Sequence, residues 1–161
     1  MNQQNEQLNL SLRDTTPEDQ DFLLEVYAST RLDELAVTGW DDKQKLTFIK
    51  MQFLVRERSY PEVDSKIILL DRRPVGRMLV DRGDAEILLR DIALLTEYRN
   101  AGIGSRLLQD LLKEAAAAGK PIKLHVLSTS PAVRFYERLG FTTTSTEPTA
   151  YLEMKWVPAT S

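Results

Sequence analysis

Three apolar, strand-like runs lie close together in the middle of the chain, and their connections are too short to contain a helix. The runs are residues 66–71 (KIILLD), 75–81 (VGRMLVD) and 85–94 (AEILLRDIAL). Only three residues separate each run from the next, whereas a parallel crossover needs about a dozen or more. The connections therefore predict an antiparallel meander, against which the remaining segments must pack.

A strand and two helices are predicted before the meander. Leucines alternate with polar residues between positions 8 and 13, which is typical of a strand with one buried face. Apolar residues at helical spacing between positions 22 and 27 indicate a first helix, with Thr16 as N-cap and Pro17 in its first turn. Asp41 can cap a second helix. Its predicted buried face carries Leu46, Ile49 and Phe53.

Two helix–strand passages are predicted after the meander. An apolar stripe at helical spacing covers residues 103–115, and a strand-like run follows over residues 122–127. Ser130 and Pro131 form the N-cap and first-turn pair of a short helix. Residues 151–157 predict a closing strand, and one more strand is predicted near residues 142–146.

The order of these elements is β-α-α-β-β-β-α-β-α-β, which predicts one α/β (α+β) domain with its core over residues 8–157. We expect about six or seven strands in a mostly antiparallel sheet, flanked by about four helices. A chain of 161 residues is long enough for one well-cored domain, and no repeat or linker divides it.

Composition restricts the chemistry. The chain has no cysteine and a single histidine, His125, which excludes a cysteine nucleophile and a multi-histidine metal site, so no metal is predicted. The first ten residues lack a signal peptide, and no apolar run reaches the length of about 18 residues that a membrane helix needs. We therefore expect a cytoplasmic protein without a membrane partner. The net charge of −3 also argues against nucleic-acid binding.

The most informative segment is the turn Arg99–Gly104 (RNAGIG), which joins a long apolar strand to a long amphipathic helix. A glycine-rich turn that enters a helix points several backbone N–H groups at one place, where the helix dipole favours negative charge. The pattern suits a pyrophosphate. It is not the dinucleotide fingerprint, because Leu107 stands where the third glycine belongs, and Ser105 replaces the lysine of a P-loop. Alternatively, the glycines serve backbone geometry alone.

Two motifs resemble those of the GNAT superfamily of N-acetyltransferases. Arg99-x-x-Gly102-x-Gly104 resembles that family's Q/R-x-x-G-x-G/A, and residues 131–141 (PAVRFYERLGF) resemble its A-x-x-[FL]-Y-x-x-x-G-F block. The separation of the two blocks and the order of the predicted elements also match, so the resemblance covers about residues 8–156.

This resemblance implies acetyl-CoA as cosubstrate. The pantetheine arm would pair with the backbone of Ile92, Ala93 and Leu94, in the place where the strands at 85–94 and 122–127 splay apart in the family. An N–H near Leu94 would polarise the thioester carbonyl. Ser130 stands where many members carry an asparagine that holds the pantetheine. The implied pyrophosphate site consists of Arg99, Asn100, Ala101, Gly102, Ile103, Gly104 and Ser105.

The candidate general acid is Tyr136, which matches the family tyrosine. A phenol with a pKa near 10 can protonate a departing thiolate. Alternatively, Tyr136 packs beside Phe135 and Leu139 at helical spacing. Glu86 is the candidate general base, acting through a water molecule, and Asp91 is the other carboxylate of the same strand. Both carboxylates can instead be solvated strand residues.

The acceptor is not identified by any motif. His125 can line the acceptor cleft, act as a base or be structural. In the family, the connection between the first two helices forms one wall of the acceptor site, so the selectivity candidates are Arg31, Asp33, Glu34 and Trp40. The competing interpretation is that Asp41 caps the second helix and that Trp40 fills the core.

The sequence thus predicts an acetyl-CoA-dependent N-acetyltransferase that transfers acetyl directly to a primary amine in a ternary complex. The acceptor would be an amine-bearing small molecule or peptide, and homodimers are common in the family. The absence of cysteine disfavours a covalent acetyl-enzyme. The alternative is a non-catalytic acyl-CoA-binding or interaction module with the same fold.

Overall fold

The computed structural model describes residues 9–59, 64–144 and 150–159. Four helices are present in these ranges: α1 (Gln20–Leu35), α2 (Asp42–Ser59), α3 (Ile103–Ala118) and α4 (Ala132–Arg138). The strands are β1 (Leu10–Asp14), β2 (Asp64–Leu70), β3 (Arg73–Arg82), β4 (Ile87–Leu94), β5 (Ile122–Leu127), β6 (Thr142–Thr143) and β7 (Tyr151–Trp156). None of the described helices is both long and apolar enough to cross a membrane.

The seven strands form one sheet in the order β1-β2-β3-β4-β5-β7-β6. The β1/β2, β5/β7 and β6/β7 pairs are antiparallel, while β4 and β5 run parallel. The predicted fold class is confirmed, including the strand near residues 142–146, which the structure has at Thr142–Thr143. The predictions for Leu8 and for residues 145–146 lie outside the described residues.

The chain forms two compact units: residues 1–79 with 91–104, and residues 80–90 with 105–161. The three boundaries between the units fall inside strand β3, inside strand β4 and at the start of α3. The prediction of a single domain over the whole chain therefore stays a prediction.

In the first unit, helices α1 and α2 bury a shared apolar cluster against β2. The cluster consists of Leu23, Tyr27, Ile49, Phe53 and Ile67. Two leucine predictions are wrong. Leu46 of α2 is 44% exposed and Leu12 of β1 is 41% exposed, so neither belongs to the core of this unit.

Capping side chains fix the starts of both helices. The Oδ1 of Asp41 accepts the N–H of Gln44 at 2.8 Å, and the Gln44 side chain accepts the N–H of Asp41 at 3.0 Å. This reciprocal pair is a capping box, as expected from Asp41. A short 3₁₀ turn, Pro17–Asp19, leads into α1. The carboxylate of Asp19 accepts the Thr16 N–H at 2.8 Å and both terminal nitrogens of Arg13 at 2.9 Å.

In the second unit, the apolar stripe of α3 is buried and β4 pairs with β5 over a short ladder. The buried stripe comprises Leu107, Leu108, Leu111 and Ala115. The ladder joins Ile87–Leu89 to Ile122–Leu124. Because β4 continues to Leu94, its last five residues lie beyond the last paired position.

The Arg13–Asp19 pair generates a prediction about stability. The Arg13 guanidinium, followed by the Thr16 N–H, holds the pKa of Asp19 well below its usual range. A lowered folded pKa means that the carboxylate stabilises the fold above a pH of about 4 and that this contribution is lost as the pH falls below that value. Asp19→Asn is expected to lower the free energy of unfolding by about 1–3 kcal/mol at neutral pH.

Urea denaturation of both proteins between pH 7 and pH 2 measures this effect. The difference between wild type and Asp19→Asn should shrink below a pH of about 4. Asp21→Asn, which changes an exposed carboxylate in the first turn of α1, is the control and should have little effect. An Asp19→Asn deficit that is constant over the whole pH range would contradict the assignment.

Candidate functional site

The turn between β4 and α3 has the geometry that the sequence predicts for it. A 3₁₀ turn, Thr96–Tyr98, follows β4. Asn100 and Gly102 then adopt positive φ angles of 63° and 84°, a region that glycine enters without steric cost. A Cβ built on Gly102 meets nothing within 4 Å. The backbone at Gly102 is therefore open to close approach by a ligand.

Helix α3 starts directly after this turn and presents unused donors. The first N–H groups of any α-helix have no intrahelical acceptor. Among the described residues, no oxygen outside α3 accepts the N–H groups of residues 102–105. The positive end of the helix dipole lies at the same place. Converging N–H groups and a glycine without a Cβ fit a phosphate group.

The side chain of Arg99 points at the protein's own backbone. Its Nε donates to the carbonyl oxygen of Leu94 at 3.1 Å, and its Nη2 lies 3.3 Å from both the carbonyl oxygen and the Oγ of Ser29. Arg99 thus ties the end of β4 to helix α1. Arg99 can therefore contribute to anion binding indirectly, because its side-chain hydrogen bonds hold the turn in place. Arg106, 45% exposed, is 3.9 Å from Asp110.

Strands β3 and β4 approach each other unusually closely at Gly76. A Cβ on Gly76 would lie 2.2 Å from the carbonyl oxygen of Ala93 and 3.1 Å from the Cα of Leu94. Any side chain there would displace backbone. Next to this contact, the N–H of Leu95 donates to the carbonyl oxygen of Val75 at 2.9 Å. The end of β4 is therefore fixed to β3 on one edge.

This contact decides which backbone groups of β4 are available on the other edge. The C=O and the N–H of one trans peptide point to opposite sides. Because the Ala93 carbonyl and the Leu95 N–H face β3, the Leu94 N–H and the Leu94 C=O face the opposite edge. The Leu94 N–H therefore fits the predicted pairing with a ligand, and the pairing of the Ile92 and Ala93 backbones with a ligand stays a prediction.

Ser130 and Tyr136 lie in the second unit, in and before α4. The Oγ of Ser130 accepts the N–H of Ala132 at 3.1 Å, so the predicted capping role is present. Tyr136 is 9% exposed, and its ring centroid lies 5.4 Å from that of Phe135 and 5.6 Å from that of Phe141. The packing of Tyr136 is therefore clear, and its role as an acid stays a prediction.

The role of Glu86 as general base stays a prediction. Glu86 directly precedes β4. Its carboxylate lies 3.6 Å from the Nζ of Lys123, which also lies 3.8 Å from Glu153. His125 is 57% exposed and its Nε2 lies 3.5 Å from Glu153. Glu86 thus belongs to a surface ion-pair network with Lys123 and Glu153, and His125 lies beside that network.

The candidates for acceptor selectivity have separate surroundings. The Asp91 carboxylate lies 3.3 Å from Arg56. Both Arg31 and Arg56 stack over the ring of Tyr27, with the guanidinium carbons 4.9 and 5.7 Å from its centroid. Trp40 does not fill the core: it is 38% exposed. The side chains of Asp33 and Glu34 lie outside the described part of the chain.

Two residues of this site were not predicted. The sequence alone could have indicated the role of Gly76, because an isolated glycine within a strand pattern often marks a close backbone approach. Ser29 carries no signal, because its bond to Arg99 joins residues far apart in the sequence. Only the folded chain reveals that pairing.

Comparison with known proteins points to one family. Residues 63–143 match the sequence model of the acetyltransferase (GNAT) domain. The uncharacterised N-acetyltransferase CgeE of Bacillus subtilis (strain 168) is 28% identical over 96 residues, covering 53% of this chain and 37% of that protein. The chain therefore spans well under half the length of this curated relative.

Solved structures share the fold over nearly the whole chain. The PaiA N-acetyltransferase of Thermoplasma acidophilum, in complex with coenzyme A, has a TM-score of 0.68 at 19% identity and covers 93% of this chain and 99% of its own. Ard1 of Thermoplasma volcanium has a TM-score of 0.62 at 18% identity, with 94% and 99% coverage. At these identities the likeness concerns the fold.

The contact at Gly76 generates a prediction. Gly76→Ala is expected to lower the free energy of unfolding by about 1–3 kcal/mol, because the new methyl group must displace the backbone of β4. The control is Gly83→Ala, whose Cβ would lie 3.2 Å from a single carbonyl oxygen, that of Glu86. Chemical denaturation measures both. Equal stability of Gly76→Ala and wild type would show that the two strands are not in this close contact.

Proposed function

Because the chain belongs to the GNAT acetyltransferase family, we propose that it is an acetyl-CoA-dependent N-acetyltransferase. In this proposal it transfers an acetyl group directly to a primary amine within a ternary complex. The observation that carries the proposal is the cradle of N–H groups at residues 102–105 beside the open Cβ position of Gly102. PaiA, a protein of the same fold, binds coenzyme A, whose pyrophosphate is the kind of anion that such a cradle suits.

The strand edge at Leu94 supports the same assignment. The Leu94 N–H and C=O face away from β3, and a pantetheine arm carries amides that can pair with such an edge as an added strand would; the backbones of Ile92 and Ala93 complete the proposed pairing. The turn follows this edge directly in the chain, so one continuous segment, residues 92–105, is proposed to supply donors for the pyrophosphate and for the arm. In the part of the chain that the structure describes, the Ser130 Oγ accepts the N–H of Ala132 and its hydroxyl hydrogen has no acceptor, so this hydroxyl can donate to a ligand.

Acetyl transfer then needs three things from the protein. The acceptor must lose a proton and attack the thioester carbon as a neutral amine. The N–H of Leu94 is a suitable donor for the oxygen that becomes negative during attack, and Arg99 holds the next peptide group in place through the Leu94 carbonyl. When the carbon–sulfur bond breaks, the thiolate takes a proton, for which Tyr136 is the proposed donor.

No carboxylate is assigned as the base. Glu86 and Asp91 are each ion-paired, with Lys123 and Arg56 respectively. In the proposed reaction the proton of the acceptor ammonium therefore passes to water. The location that we propose for the enzyme is the cytoplasm, where acetyl-CoA is made available to soluble proteins.

The cradle is tested by Gly102→Glu. A carboxylate at Gly102 would occupy the phosphate position and repel it, so acetyl-CoA at millimolar concentration should raise the melting temperature of wild type but not of the variant. Thermal denaturation followed by fluorescence measures both shifts.

Gly119→Glu is the matched control for this test. Gly119 also has a positive φ, 69°, and open space at its Cβ, but it lies at the other end of α3. The variant therefore carries a similar backbone cost and the same charge, and should keep the full shift with acetyl-CoA. Equal shifts in Gly102→Glu and Gly119→Glu would reject the cradle.

Tyr136→Phe tests the proposed acid. Phenylalanine preserves the ring packing against Phe135 and Phe141, so the fold and the affinity for acetyl-CoA should remain. The turnover number, measured as thiol release with a panel of primary amines, should fall about 100-fold or more. An unchanged turnover number would assign Tyr136 to packing alone. No thiol release from wild type with any amine would favour the non-catalytic binding module.

A further inference from the structure

Helix α2 is apolar on two opposite sides. One side buries Ile49 and Phe53 in the core. Residues three and four apart share a side of a helix, and on the other side such a series remains at the surface. We call this series the outer stripe. It consists of Trp40 in the preceding turn and of Gln44, Thr47, Phe48, Met51, Leu54 and Val55.

The apolar side chains of the outer stripe are strongly exposed. Met51, Leu54 and Val55 are 64%, 53% and 63% exposed, and Trp40 and Phe48 are 38% and 37% exposed. Single exposed apolar residues are normal in proteins, but a contiguous row of them marks an interaction surface. The outer stripe is therefore suited to being covered.

Basic side chains border the outer stripe. Lys43 and Lys50 are seven residues apart and lie beside Thr47 and Leu54 along one flank, and Arg58 continues the series at the carboxyl-terminal end. All three basic residues are exposed. Lysine and arginine can lay their apolar stems on a hydrophobic surface while their charged ends reach towards anions.

The acidic residues of α2 and of its N-cap are engaged elsewhere. The Oδ1 of Asp41 accepts a backbone N–H of the first turn at 2.8 Å, where the helix dipole favours a negative charge. Asp42 precedes Ile49 by seven residues and so lies on the core side of the helix. The Oε1 of Glu57 is 2.8 Å from the Nη2 of Arg77. The outer stripe therefore presents an excess of positive charge, although the net charge of the chain is −3.

A hollow opens in the amino-terminal half of the outer stripe. The Trp40 ring packs edge-on against Phe48, with centroids 5.2 Å apart, beside a hollow of about 500 Å³ whose lining also includes Met51 and Lys43. Its walls are suited to an acyl chain, and its lysine is suited to a phosphate. Tryptophan itself prefers the boundary between an apolar phase and water.

We propose that the outer stripe docks on an anionic lipid bilayer, with α2 lying in the plane of the interface. The apolar side chains enter the boundary between headgroups and acyl chains, and the bordering cations contact the lipid phosphates. From Trp40 to Arg58 this surface is about 27 Å long at the rise of a helix.

A helix that lies on a bilayer needs one apolar side and not the apolar run of about 20 residues that a spanning helix needs. The expectation of a protein without a membrane partner rested on the lack of such a run, so it does not apply to a helix in this position. The proposal is also independent of the acetyl-transfer proposal, since it uses none of the residues between 92 and 105.

A second copy of the chain is the competing occupant, because an exposed apolar helix face can also pair with itself. The charges favour the bilayer. Two copies of the outer stripe would bring the cations at Lys43, Lys50 and Arg58 of both chains into one interface, where no acidic residue of α2 faces them. An anionic lipid surface attracts all of these cations.

Flotation of the full chain with lipid vesicles tests the docking. Wild type should bind vesicles of phosphatidylcholine that contain about 30% phosphatidylserine, and it should bind pure phosphatidylcholine at least tenfold more weakly. Met51→Glu/Val55→Glu should lower the affinity for the anionic vesicles by about 100-fold or more, with an unchanged circular dichroism spectrum. Leu12→Glu changes an exposed leucine of β1 and should leave the affinity unchanged.

The contribution of charge is tested separately. Lys43→Gln/Lys50→Gln should weaken binding to the anionic vesicles by about 10- to 30-fold, since each basic residue near an anionic surface contributes about fivefold. Arg73→Gln/Lys113→Gln removes the same charge from two exposed residues outside α2, and it should change the affinity by less than about twofold.

The depth of Trp40 gives a readout that does not depend on affinity. Phosphatidylcholine brominated on its acyl chains quenches tryptophan that reaches the headgroup boundary. The chain has two tryptophans, so quenching by brominated anionic vesicles should be present in wild type and lost in Trp40→Phe, which keeps an aromatic ring in the outer stripe.

Four results would overturn the proposal. They are a wild type that does not bind anionic vesicles, equal binding to anionic and pure phosphatidylcholine vesicles, binding that survives Met51→Glu/Val55→Glu, and quenching that persists in Trp40→Phe. A chain that forms a dimer without binding vesicles, and loses the dimer in Met51→Glu/Val55→Glu, would assign the outer stripe to a second copy instead.

Discussion

The close contact between β3 and β4 at Gly76 is the constraint on which the candidate site depends. With no Cβ at Gly76, the Ala93 carbonyl can sit against β3, and the planar trans peptide then turns the Leu94 N–H to the other edge. One missing side chain thus determines which backbone donors of β4 can meet a ligand. The position of these donors is a property of two strands and not of β4 alone.

Arg99 extends this constraint from the strand to the turn. Its guanidinium holds the carbonyls of Leu94 and Ser29, so the end of β4, the turn and α1 are linked by one side chain. The N–H groups of residues 102–105 and the N–H of Leu94 then belong to one fixed segment of backbone. Preorganised donors of this kind stabilise developing charge without reorganisation, which suits a protein without cysteine and with one histidine.

The meander, the capping box of Asp41 and the glycine turn could be predicted from the sequence because each depends on neighbouring residues. On α2 the buried side was predicted correctly through Ile49 and Phe53, but Leu46 on the same predicted face is 44% exposed, because periodicity does not say how far around a helix the core extends. The orientation of Ala93 depends on β3, and the partner of Arg99 lies on α1. Contacts between distant segments leave no local pattern.

The central claim is that backbone N–H groups at Leu94 and at residues 102–105 bind coenzyme A. The most direct measurement is the ¹⁵N–¹H spectrum of the protein during titration with coenzyme A, which reports each amide separately. The amides of Leu94, Gly102, Gly104 and Ser105 should show the largest shifts. Saturable binding that leaves the amides of residues 102–105 unchanged would contradict the account.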